Sequence, residues 1–223
     1  SFPLGYNRFY CMKYEITSSQ YVSFLNTLTY NQQLRLSPNA NSLPPEAPAG
    51  TVINRTYQGY TIEVKTPGNS TTTLTPAVYG NDATDDNNYD QPNDGLGYAV
   101  SLGNKQFLSF LDWAALRPMT DFEFEKACRG PITPQVNEFA WGTTDYTSYT
   151  NYSVTDKYLA TERLSGTGLG MNNIQSNNNF RVGIAATATS NRVNAGATYY
   201  GIMEMAGGMY ERVIGRNGVD YSG

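Results

Sequence analysis

Apolar residues recur at helical spacing in three stretches of the chain and alternate with polar ones in a fourth. "FYCMKYEI", residues 9–16, alternates, with Tyr10, Met12, Tyr14 and Ile16 on one face and Cys11, Lys13 and Glu15 on the other, which predicts a strand. Thr17 followed by Gln20 forms a capping-box pattern, and the stripe Tyr21, Phe24, Leu25, Leu28 predicts a helix from about Ser18 to Leu28. A second helix is predicted from about Asn104 to Ala115, burying Phe107, Leu108, Leu111 and Trp113. The third follows another capping box, Thr120 with Glu123, takes its apolar contacts from Phe122, Phe124 and Ala127, and stops at Gly130-Pro131.

Between these elements the pattern dissolves. Residues 31–97 are rich in Pro, Asn, Asp and Thr and read as a long insertion carrying one hairpin, "TVINRTY" and "GYTIEVK", joined around Gln58 and Gly59. Within it, "GNDATDDNNYDQPNDG" offers oxygen ligands for calcium without the spacing of an EF-hand loop, and a solvated loop is the plainer reading. Residues 132–194 are mostly loop, with a short strand expected at "RVGIAATA". The glycine-rich "GTGLG" lacks the flanking strand and helix of a dinucleotide site, since "MNNIQSNNN" after it is no helix start. So much irregular chain in one domain calls for something that holds it.

Composition narrows the function classes. At 223 residues and 39% hydrophobic content the chain can bury one core, and a single domain is expected. A net charge of −4 and no basic run argue against nucleic acid as a partner. There is no histidine, which removes His triads, His-ligated zinc or iron and a His general base from this segment. Eighteen tyrosines with only 15% charged residues point to an extracellular or cell-surface location. Two cysteines, Cys11 and Cys128, are too few for a disulfide framework and leave open one bridge or two free thiols. No apolar run is long enough to span a bilayer, and no signal segment opens the chain. The abrupt "SFPLGY" and "GVDYSG" suggest a processed or partial chain.

Helix physics demands neither Arg-Pro-Met-Thr before the third helix nor Cys-Arg-Gly-Pro at its end. "KYEITSSQYVSFLN", "LSFLDWAALRPMTDFEFEKACRG", "FAWGT" and "YYGIMEMAGGMYERV" occur in the order typical of the formylglycine-generating, or sulfatase-modifying-factor, family, which the chain resembles from about Tyr10 to Val213. The resemblance implies an α+β, C-type-lectin-like formylglycine-generating-enzyme fold, low in regular secondary structure, whose long loops calcium can pin. It makes 1–223 a single domain, C-terminally incomplete, with its insertion at about 31–97.

The same resemblance places one calcium site on the Glu204 side chain, the Gly207 and Met209 carbonyls and Glu211. The plainer alternative is a hydrogen-bonded turn in which Arg212 neutralises Glu211. A second family site maps onto the Asn151 side chain and the Tyr152 carbonyl, where the alternative is an ordinary Asx turn. The family's copper-binding cysteines lie beyond the segment that ends at Arg212, and this chain shows neither of them. Its iron-dependent sulfoxide synthases use histidines, and none is present. Cys128 reads as a buried structural thiol, Cys11 as a packing or bridging residue, and Trp113, Trp141 and Phe124 as core. No catalytic residue is assigned. The function expected is a non-catalytic, calcium-stabilised extracellular binding or assembly module with a protein or glycan partner. The alternatives are a copper-dependent oxidase converting peptidyl cysteine to formylglycine, with catalytic cysteines downstream of Gly223, and a carbohydrate-binding surface protein.

Overall fold

The computed structural model describes residues 4–36, 45–55, 61–146, 153–165, 180–207, 209, 211–215 and 220–222. Helix α1, Ser18–Leu25, starts on the expected capping box: Thr17 Oγ accepts the Gln20 N–H at 3.3 Å while Gln20 Oε1 accepts the Thr17 N–H at 3.0 Å. It ends three residues before Leu28, the end the stripe predicted. Asn26 turns away to bond the Tyr79 backbone twice, at 3.0 and 2.8 Å. A second helix, α2 (Tyr30–Leu36), follows behind Thr29 and Gln32, which exchange cap bonds of the same kind.

Strands β1 (Val52–Arg55) and β2 (Thr61–Thr66) form the expected antiparallel hairpin, with its connecting residues 56–60 outside the described residues. A third strand not foreseen from the sequence, β3 (Val78–Asn81), pairs with β2 to give the order β1-β2-β3. Ile62 and Val64 are fully buried against Tyr21, Phe24, Phe110 and Leu111, so β2 is the floor of the main core. Each such aliphatic side chain contributes about 1.5–3 kcal/mol by leaving water. The segment read as an insertion therefore supplies Ala47, Ile62, Val64, Ala77 and Tyr79 to the principal core.

Helix α3 (Asn104–Trp113) presents Phe107, Phe110, Leu111 and Ala114 to that core, the spacing of one helix face. Leu108 lies off this face and is 50% exposed, contrary to expectation, and Trp113, expected in the core, is 46% exposed while its ring edges touch Phe24 and Phe110. Helix α4 (Asp121–Arg129) keeps its predicted box, Thr120 Oγ accepting the Glu123 N–H at 3.2 Å. It turns Ala127 and Phe124 inward and leaves Phe122 exposed. Beyond α4 come β4 (Ser153–Thr155) and β5 (Arg163–Ser165), a small hairpin, then α5 (Arg192–Ala195) and the pair β6 (Arg212–Ile214) and β7 (Asp220–Ser222). The described elements are a mixture of short helices and small antiparallel sheets.

Three expectations need correction. Residues 9–16 are not a strand: Tyr10 is fully exposed, and the backbone bonds separate parts of the chain, Lys13 O accepting from Met203 and Ile16 O from Val100. "RVGIAATA" consists of turns around Gly183, whose φ of +71° takes it out of strand geometry. The acidic tract is solvated only in part: residues 84–88 are exposed, but Asp82 and Asp94 are fully buried. Asp82 accepts the Asp86 and Asn87 N–H groups at 3.1 and 2.7 Å, and Asp94 accepts the Gln91 N–H at 2.6 Å and the Thr84 hydroxyl at 3.1 Å. Cys11 and Cys128 are both free thiols, and "GTGLG" lies outside the described residues.

Candidate cation site

The segment from Gly201 to Arg212 is threaded between the opening segment and α4. Met203 and Met205 are buried, Met205 against Ala127, Cys128 and Ala140. The turn that follows is sharp: Glu204 has φ +58° and Gly207 φ +100°, the latter a conformation that glycine adopts without a Cβ penalty. Glu204, Gly207, Met209 and Glu211 all lie on this turn and the residues just after it.

The electrostatics of that stretch are out of balance. Glu204 Oε1 accepts the Gly183 N–H at 2.7 Å, but Glu204 Oε2 and Glu211 Oε1 are shut off from solvent and have no hydrogen-bond partner. Arg212, the expected neutraliser of Glu211, donates instead to Asn104 Oδ1 and to the Leu102 carbonyl at 3.4 Å. Arg212 therefore does not neutralise Glu211. A third carboxylate joins them, Glu15, whose Oε1 accepts the Met209 N–H at 2.7 Å.

Burial pushes the Glu15 carboxyl up to about 8, with the Met209 N–H opposing and the Glu204 charge adding to the rise. Burial likewise lifts Glu204 to about 7, against the Gly183 N–H and the Arg181 charge. Glu211 is held well above the carboxylate range by burial and then by the charges of Glu15 and Glu204. Three carboxyls in one another's field with two orphaned oxygens is a costly arrangement unless a cation completes it. Among the described residues no three His, Cys, Asp or Glu side chains gather as a metal shell by themselves. A cation here would thus be held by Glu204 and Glu211 together with the Gly207 and Met209 carbonyls, a set of hard oxygens suited to calcium. Glu204 Oε2 and Glu211 Oε1 are unpaired hard oxygens of the kind such an ion takes.

Asn151 and Tyr152 lie outside the described residues. Glu15 was missed from the sequence, because the strand reading of residues 9–16 placed it on the outer, polar face. Its only signal was position, in the "YEIT" that precedes the first capping box. Arg117 was missed as well: it makes a two-point ion pair with Glu123, both bonds 2.7 Å, which with the Thr120 N–H at 3.0 Å holds the Glu123 carboxyl below its ordinary range.

Neither thiol is activated. Burial pushes Cys128 up to about 12, and burial with the charge of Glu123 raises Cys11, the reverse of what a nucleophilic thiolate needs.

Beside the carboxylates opens a cavity of about 520 Å³, walled by residues 9–12 and 14–16, by parts of the stretch 100–119 and by residues 202, 203, 205, 209, 211 and 212. Glu15, Met209 and Glu211 belong to its lining. No protein-family model, no curated protein and no solved structure matches the chain. Among the described residues no helix is long and apolar enough to cross a membrane.

Proposed function

We propose that the chain is a non-catalytic binding or assembly module of the extracellular space, stabilised by calcium and built on a C-type-lectin-like fold of the formylglycine-generating-enzyme kind. One observation carries the calcium part: Glu204 Oε2 and Glu211 Oε1 are buried without a partner, and the arginine next in sequence is engaged elsewhere. An ion on Glu204, Glu211 and the Gly207 and Met209 carbonyls supplies the missing charge in the loop that the Met209 N–H bond to Glu15 ties to the opening segment. Four ordered sequence motifs support the family part, and the tyrosine-rich, weakly charged composition supports the surface location and a protein or glycan partner. Neither thiol of the chain, both kept protonated by burial at neutral pH, supplies a nucleophile for the oxidase alternative.

Titration calorimetry on chelator-treated protein tests the ion: calcium should bind to wild type and lose its heat in Glu204→Gln and Glu211→Gln. Absence of calcium binding to wild type removes the ion from the account. Turnover of a thiol-containing peptide by the purified chain would overturn the module reading and restore the oxidase.

A further inference from the structure

The cavity beside the cation site draws heavily on one residue type. The chain has six methionines, and five of them, Met12, Met119, Met203, Met205 and Met209, line this cavity. The sixth, Met171, lies outside the described residues. The five come from separate parts of the chain: the opening segment, the residue before the α4 cap and the stretch after Gly201. An unbranched thioether is polarisable and adapts its shape, so a wall built from it moulds itself around an apolar body. Phe107 and Leu111 close the α3 side, and a volume of about 520 Å³ falls within the range of small-molecule sites.

The same wall carries a permanent hydrogen-bond donor with capacity to spare. Arg117 and Glu123 satisfy each other through two bonds of 2.7 Å. Arg212 has only neutral partners among the described residues: it donates to Asn104 Oδ1 and, over 3.4 Å, to the Leu102 carbonyl. A guanidinium presents five N–H groups and stays charged at every pH at which a protein folds. Those two bonds leave about three N–H groups of Arg212 without an acceptor among the described residues. The carboxyls of Glu15 and Glu211 also line the cavity, and their charge follows the ion and the pH. The thioethers and the guanidinium offer the same surface in every state.

We infer that this cavity binds a small neutral molecule, an apolar aryl or alkyl body among the methionines with one carbonyl-type oxygen that accepts from Arg212. A neutral oxygen there gains a charge-assisted hydrogen bond and loses little hydration. An anion would find the same donors, but it sheds far more water and meets the Asn104 and Leu102 oxygens and the carboxyl of Glu211, the residue next to Arg212. An ammonium group meets the charge of Arg212 itself.

The test compares four ligands with one skeleton, 4-phenylbutan-2-one, butylbenzene, 3-phenylpropanoate and 4-phenylbutan-2-amine, titrated into the whole chain by NMR at saturating calcium and again in chelator. The ketone should bind most tightly of the four in both conditions, by at least about fivefold over butylbenzene, the margin of one hydrogen bond to a charged donor. Arg212→Met should bring the ketone down to butylbenzene and leave butylbenzene itself little changed. If that variant does not fold, contacts in wild type between the ketone methyl group and the Arg212 guanidinium protons serve instead. Equal binding of ketone and hydrocarbon, tightest binding of the carboxylate or of the amine, no binding of any of the four, a preference retained in Arg212→Met, or ketone contacts elsewhere would each overturn the inference. It goes beyond the calcium reading and separates from it. Failure of calcium to bind leaves the ketone preference as a distinct result, and loss of that preference with calcium still bound leaves the ion.

Discussion

Glu211 illustrates how a single side chain can be unfavourable in the bare chain and useful in the loaded one. Its Oε1 is buried without a partner, with Glu15 and Glu204 in its field. Replacing it with Gln removes a charge that burial penalises, so Glu211→Gln in chelator should melt at the same temperature as wild type or higher. The same change should abolish the calcium-induced rise, which for an ion at a hundred times its Kd amounts to about 2.7 kcal/mol in wild type. Paired melts of the two proteins with and without calcium check both statements. Glu123 is the opposite kind of acid, satisfied by Arg117 and by the Thr120 N–H. Glu123→Ala should cost about 1–3 kcal/mol in urea unfolding, through loss of a helix cap and an ion pair together. Arg117→Ala should cost less, because that side chain is 54% exposed and its share of the pair is screened.

Among the elements, α3 offers the clearest contrast. Phe110 is 3% exposed between Phe24, Tyr21 and Trp113, whereas Leu108 on the same helix is half in water. Phe110→Ala should lose about 3–5 kcal/mol and Leu108→Ala about 0.5 kcal/mol or less, measured as shifts in denaturant midpoint. The sequence pattern chose Leu108 because several apolar residues in a row fit more than one helix face, and only the position of β2 decides between them. Capping boxes were legible, since Thr17 with Gln20 and Thr120 with Glu123 are local chemistry. Thr29 with Gln32 was equally local and was passed over because the composition beyond it spoke of loop. The alternation at residues 9–16 misled for a different reason. Its backbone partners come from Val100 and Met203, far along the chain, and alternation alone says nothing of whether a neighbouring strand exists. β3 was hidden likewise, its four residues carrying a glycine and an asparagine that weaken any strand signal.

At the scale of the whole molecule, the candidate site joins parts of the chain nearly two hundred residues apart, Glu15 to Met209. Glu204, Gly207, Met209 and Glu211 were named through the resemblance and lie close together in sequence. Glu15 was not, because its role exists only once the opening segment has folded against the late one. This union sets a pH dependence whose sign differs from that of most acids. Folding raises Glu15 from 4.5 to about 8 and Glu204 from 4.5 to about 7, so between these values the native chain holds more protons than the unfolded one. Without calcium, stability should therefore fall as pH rises from about 4.5 to about 8. Below that window both states are protonated and the penalty vanishes. Calcium reverses the balance by favouring the ionised carboxylates, so its stabilisation should grow over the same interval.

The most direct measurement is the melting temperature in saturating calcium and in chelator, at pH 5.5 and again at pH 7.5. The account predicts that calcium raises it at pH 7.5, by a margin wider than at pH 5.5, while the chelated protein becomes less stable with rising pH. A melting curve that chelation leaves unchanged at pH 7.5, and that added calcium does not move, would contradict it and return Glu204 and Glu211 to an ion-free turn.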